Sequence, residues 1–296
     1  MARLSGGREP IIIMLHGYRY APGDPVHCPH RTLLSPGGRF SWPDALGIGS
    51  PTGGFGIALG WAARCSLRDA HARARAHGGQ LARIVAHLKG TAPDRPVHVI
   101  AHSLGSEIAL SALAHLARGA IDRIVLLTGA SHKSHAEAML ATPAGRSVEV
   151  LNVTSRENDL FDAAFERFVP SRRVGDCAIG HGIAAPNALT LQLDCPRSLE
   201  ALQRLGIGIA PPLGRVSHWS AYTRPGAMEF YARLMRRPDS LPLSLLQTAL
   251  PGDTAARWSR FRPVKLPLAR PRLPGALRIA SRVARRAQPS PSCSTA

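Results

Sequence analysis

The stretch Ala101-His102-Ser103-Leu104-Gly105 sits between two patterned segments. Before it, Val97–Ile100 is a short apolar run of strand character. After it, Leu104, Ile108, Ala112 and Leu116 recur at helical spacing through Leu104–Ala117. A serine on a sharp turn from strand to helix is strained, and its neighbours must be small because bulk would collide there. The helix N-terminus behind Ser103 favours negative charge, which suits an oxyanion forming beside the Leu104 N–H. That combination fits a nucleophile attacking a carbonyl carbon. The plainer alternative is a serine N-cap on an ordinary helix. Partners for such a serine are available further along. Glu157, Asp159 and Asp162 follow the apolar run Val148–Val153, and His181 and His218 are the histidines beyond them.

Strand, serine turn and helix in this order resemble the nucleophile elbow of the α/β-hydrolase family, G-x-S-x-G, with Ala101 in the place of the first glycine. Leu15-His16-Gly17-Tyr18, at the end of the run Pro10–Leu15, is similar to the HG turn that follows the family's third strand. The resemblance implies that the Tyr18 N–H is the second oxyanion donor beside that of Leu104. It also implies that Gly17 lets the backbone approach and that His16 holds the loop. The family's order of serine, acid and histidine implies Asp159 as the acid, with Glu157 and Asp162 as rivals. It implies His218 as the base, because Val216–Ser220 precedes the final helix, with His181 as the rival. The reaction so implied is cleavage of a carboxylic ester. Ser103 attacks, His218 takes its proton, and Asp159 orients the imidazole. The family also contains non-catalytic scaffolds, so binding of a partner or of an anionic surface is the alternative function.

The elements that must position these residues follow from the patterning. Pro10–Leu15, Gly54–Leu59, Val97–Ile100, Ile121–Leu127 and Val148–Val153 read as strands. Leu67–Leu88, Leu104–Ala117 and Met228–Met235 read as helices, with one more over Ser198–Leu205. Their alternation predicts an α/β fold: a mostly parallel sheet with helices on both faces, shortened at its N-terminus relative to the family it resembles. The resemblance covers about residues 10 to 237. Two long segments interrupt the alternation, 21–51 and 169–215, and are expected to form cap-like loops over the site. The expected organisation is a hydrolase-like domain over 1–250 and a basic, Pro- and Arg-rich tail over 251–296 without fixed structure.

Composition sets outer limits. The chain has 296 residues, 45% of them apolar, which is enough for one sizeable core. Its net charge of +18 comes almost wholly from arginine. From Pro251 onward there are ten basic residues against one acid, Asp253, so the tail is a candidate for weak contact with an anionic membrane surface. No aromatic or motif pattern points to nucleic acid. Five cysteines without a C-x-x-C pair read as reduced thiols. The apolar run near the N-terminus is too short for a signal-peptide core, and a cytoplasmic setting is expected. His27-Cys28-Pro29-His30 lacks the second ligand pair of a zinc site, so neither metal nor cofactor is expected. The expected partner is a small acyl substrate; the oligomeric state is left open.

Overall fold

A computed structural model describes residues 9–38, 40–50, 53–252 and 255–261. Six strands pair in parallel: β1 (Ile11–Leu15), β2 (Phe55–Leu59), β3 (Val97–His102), β4 (Arg123–Leu127), β5 (Glu149–Thr154) and β6 (Ala188–Gln192). They lie in the order β2-β1-β3-β4-β5-β6. Strands β1, β3 and β4 are buried along their whole length, as expected of a parallel sheet covered on both faces.

The period of two along each strand divides the core. Ile11, Ile13, Leu15, Val97, Val99 and Ala101 pack against α1 (Leu67–Thr91), α2 (Gly105–Ala112), α3 (Lys133–Leu140) and α4 (Asp159–Phe168). Ile12, Met14, Ile100, Val125 and Leu127 point the other way. They meet α5 (Pro196–Arg204), α6 (Ala227–Arg236) and α7 (Leu243–Ala249). Each fully buried Leu, Ile or Val contributes about 1.5–3 kcal/mol relative to exposure. Helix α1 starts where the Ser66 Oγ accepts the Asp69 N–H at 3.1 Å, and it buries the stripe Ala70, Ala74, Leu81, Val85 and Leu88.

The chain leaves β1 to form β2 on one side and returns to form β3 on the other. This reversal opens a crevice at the carboxyl ends of β1 and β3. Register brings the ends level: Leu15 pairs with Ala101, His102 with Leu127, and Leu127 with Val153. Residues 16–18, 103, 128 and 155–158 therefore emerge side by side.

Both cap expectations need correction. Besides the helix expected over Ser198–Leu205, which is α5, the 169–215 segment contains the edge strand β6. No residue of that segment lines the cavity at Ser103. The strand leaves little trace in the sequence, because its five residues are flanked by loops and only Leu189 and Leu191 mark its inward face toward the second core. From 21–51, Leu33, Leu34, Trp42 and Leu46 are buried in the core on the α5–α6 face. Only Val26, His27 and Thr32 of that segment reach the cavity.

Residues 255–261, counted with the tail on sequence grounds, are tied to the sheet domain. The Ala255 N–H donates to Gln192 Oε1 at 2.7 Å, and Arg257 pairs with Glu166 at 2.8 Å. The expectations for the rest of the tail, 262–296, lie outside the described residues, as does Cys293. Cys28, Cys65, Cys177 and Cys195 are free thiols. No helix among the described residues is long and apolar enough to cross a membrane.

Candidate active site

Ser103 follows β3 directly and adopts φ +52°, a left-handed conformation that side-chain-bearing residues rarely hold. Three hydrogen bonds keep it there. Its N–H donates to the Leu127 carbonyl at 3.1 Å, and its carbonyl accepts from the N–H groups of Ser106 and Ala130 at 3.0 Å each. Two glycines make room. A Cβ on Gly105 would stand 2.8 Å from the carbonyl oxygens of Leu15 and His16, and one on Gly17 would stand 2.7 Å from the Ser103 Cβ. The spacing of small residues seen in the sequence is thus a consequence of β1 and the elbow touching.

The His16-Gly17 turn is fixed by the His16 ring. Its Nε2 accepts the Trp61 N–H at 3.0 Å, which leaves Nδ1 to donate to the Gly17 carbonyl at 2.8 Å. The Trp61 indole N–H returns to the His16 carbonyl at 3.0 Å, and the two rings stack. Burial holds the His16 imidazole down at about 4, so it is neutral at pH 7. With both nitrogens occupied, His16 has a structural part. The backbone N–H groups of Tyr18, next to Gly17, and of Leu104, next to Ser103, donate to no acceptor among the described residues.

His218 lies on the loop before α6. Its backbone carbonyl accepts from His102 Nε2 and from Thr128 Oγ1, both at 3.0 Å, which pins the loop to the ends of β3 and β4. Thr128 is itself in a left-handed conformation, φ +40°. The imidazole stacks on Phe161 at 4.5 Å between ring centres. Burial, with the neighbouring His102, lowers its affinity for a proton well below the usual value. Ser103 and His218 line one cavity; no hydrogen bond joins them among the described residues.

The partner of His218 Nδ1 differs from expectation. It is the side-chain oxygen of Asn158, at 2.7 Å. Asp159 is turned away: one oxygen faces the Arg156 guanidinium at 3.2 Å and the other accepts the Trp258 N–H at 2.6 Å. The rivals lie elsewhere too. Glu157 pairs with Arg224, and His181 stands 3.6 Å from Glu166. Asp162 is at the site but one step back, accepting the Asn158 amide N–H at 2.9 Å. The reason is helical geometry. Successive residues on a helix are turned by about 100°, so Asn158 and Asp162, four apart, share a side while Asp159 faces another. Arg156 and Asp159, three apart, pair on that other side. The spacing Asn158-x-x-x-Asp162 was the available signal. An amide at the first position departs from the carboxylate that the family resemblance implies.

The cavity has a volume of about 610 Å³. Apart from the polar groups already named, its wall is largely apolar and aromatic. Phe161, Ala164, Phe165 and Phe168 of α4 face Tyr18, Val26 and Trp219. Helix α4 therefore forms the side wall that the cap segments were expected to supply. His102, missed in the sequence, lies beneath the site, with Nδ1 lacking a hydrogen bond among the described residues.

No protein-family model and no curated protein matches this chain. Among solved structures, eighteen chains match. One is Trichoderma reesei cutinase in complex with a C11Y4 phosphonate inhibitor, 17% identical over 42% of this chain, with a TM-score of 0.28. The matched part spans about half of that structure, 54% of its chain. The chain is an α/β protein whose described strands form one all-parallel sheet covered on both faces.

Proposed function

We propose that this chain is a serine hydrolase of the α/β-hydrolase kind, acting on a carboxylic ester through an acyl-enzyme at Ser103. One observation carries the reading. A serine is held in a left-handed conformation between β3 and α2, in the wall of a largely apolar cavity that a half-buried, oriented imidazole also lines. Strain of that kind persists only where the surroundings enforce it, and it is characteristic of functional positions.

In this reaction His218 Nε2 removes the Ser103 Oγ proton as the oxygen attacks the acyl carbonyl. The Nδ1–H stays bonded to Asn158, which keeps the Nε2 lone pair available. Negative charge on the carbonyl oxygen is received by the N–H groups of Leu104 and Tyr18, each worth about 3 kcal/mol in such a role. His218 then returns the proton to the leaving alcohol. Water, activated by the same imidazole, hydrolyses the acyl-enzyme. The aromatic wall from α4 suits an apolar acyl portion, and a cavity of this size falls within the range that encloses small molecules.

The test is covalent labelling. A fluorophosphonate should modify the wild-type chain at Ser103 and leave Ser103→Ala untouched. A panel of aryl esters of increasing acyl length, with thioesters alongside, should be turned over only by the wild type. A folded protein that neither labels nor hydrolyses any of them would point instead to a non-catalytic binding scaffold.

A further inference from the structure

We propose that Asn158 and Asp162 together perform the part commonly given to one carboxylate, Asp162 anchoring the Asn158 amide so that its oxygen faces His218. This rests on the serine-hydrolase reading only for its kinetic consequence; the anchoring itself is a statement about hydrogen bonds.

An amide side chain is ambiguous in a way that a carboxylate is not. Rotated by half a turn, Asn158 would present its NH₂ group to His218 Nδ1. Nδ1 would then have to accept, the ring proton would move to Nε2, and the imidazole could no longer take a proton from Ser103. Something must therefore hold the amide one way round. Asn158 closes a turn of 3₁₀ helix, its own N–H bonded to the Ser155 carbonyl at 3.0 Å, so the backbone is fixed and only the amide can turn. Asp162 supplies the missing constraint. Its Oδ1 accepts the Asn158 Nδ2–H at 2.9 Å, and the Asn158 Oδ1 is left 2.7 Å from His218 Nδ1.

Asp162 is otherwise poorly placed. It is almost wholly buried, and its Oδ2 makes no hydrogen bond among the described residues. That oxygen lies against Gly180, where a Cβ would stand only 2.1 Å away. Burial pushes its carboxyl up to about 7; Arg156 and Arg257 oppose the rise, while Asp159 and Glu166 add to it. A half-satisfied buried acid costs stability. Among the described residues its side chain hydrogen-bonds to Asn158 and to no other group, so it acts through that residue. Asp162 is a positioning residue: it acts on the imidazole through Asn158.

The experiment compares wild type, Asp162→Asn and the exchanged pair Asn158→Asp/Asp162→Asn. In Asp162→Asn two amides face each other and either orientation of Asn158 is satisfied. In the exchanged pair a carboxylate accepts from His218 Nδ1 without needing an anchor. The expected result is a kcat at least about tenfold lower in Asp162→Asn with KM little changed, and recovery to within about threefold in the exchanged pair. Fixing the wrong imidazole tautomer can cost up to about 10⁴ in kcat. Nitrogen-15 NMR of the His218 ring gives a readout independent of turnover. The wild type should show the Nδ1–H form alone and Asp162→Asn a mixture. An unchanged His218 tautomer in Asp162→Asn overturns the proposal, as does an exchanged pair no faster than the single variant. Absence of any labelling or turnover in the wild type would count against the serine-hydrolase reading, and the NMR comparison would still decide the anchoring.

Discussion

Gly17→Ala tests how tightly the β1 turn is set against Ser103, the proposed nucleophile. The new Cβ would stand 2.7 Å from the Ser103 Cβ and 3.1 Å from both the His102 carbonyl and its Nδ1. Carbon atoms in ordinary contact lie about 3.5–4.0 Å apart, so about 1 Å of movement is required. Neither side yields easily. Ser103 is held by three backbone hydrogen bonds, and the His16-Gly17 turn is held by both nitrogens of the His16 ring. Overpacking of this sort costs about 1–3 kcal/mol, which for a domain of this size lowers Tm by about 2–4 °C per kcal/mol. The effect on catalysis should be larger than the effect on stability. Moving the Tyr18 N–H and Ser103 apart by about 1 Å should lower kcat about 100-fold. The assay is ester hydrolysis at saturating substrate, with circular-dichroism melting and a phosphonate titration of active sites to separate misfolding from misplacement. A Gly17→Ala protein with kcat within threefold of wild type and an unchanged Tm would refute the argument that this contact sets the geometry.

Other consequences can be measured as readily. Ser103→Gly should be more stable than Ser103→Ala by about 0.5–1 kcal/mol, because relief of left-handed strain, about 1–2 kcal/mol, outweighs the entropy glycine brings to the unfolded chain; equal Tm values would contradict the strain. Asp159→Asn should keep kcat within about threefold, while Asp159→Ala should lose about 3–5 kcal/mol by leaving Arg156 buried without its carboxylate. If Asp159→Asn instead abolished turnover in a folded protein, Asp159 and not Asn158 would serve His218. Acid should destabilise the fold before the carboxylates titrate. His16, His98 and His102 are held down to about 4 by burial, so the unfolded chain binds protons that the folded one does not. Their contribution is complete above about 6.5 and falls away toward 4, whereas Asp162, raised to about 7, works in the opposite sense. Burial lowers His218, His132, His135 and His181 in the same direction, so the histidines together outweigh Asp162 and Tm should fall steadily between pH 7 and pH 4.5; a flat profile over that range would argue that these rings are hydrated.

The sequence by itself determined the local parts of this protein. Apolar runs of strand length alternating with helical spacing are enough to specify a parallel sheet, since side-chain period and burial leave few other arrangements for Ile11–Leu15 or Val97–Ile100. It also marked Ser103, because a small-residue turn between strand and helix is a local steric requirement. Tertiary structure decided everything that depends on which face a residue presents. Asn158 and Asp159 are neighbours in the chain, yet a rotation of about 100° sends one to His218 and the other to Arg156 and Trp258. Likewise the part of 169–215 that forms β6 carries little strand signal of its own and becomes a strand only where β5 is in place to pair with it. A strand of five residues draws its stability from its partner, and the identity of that partner is not written in the strand's own residues.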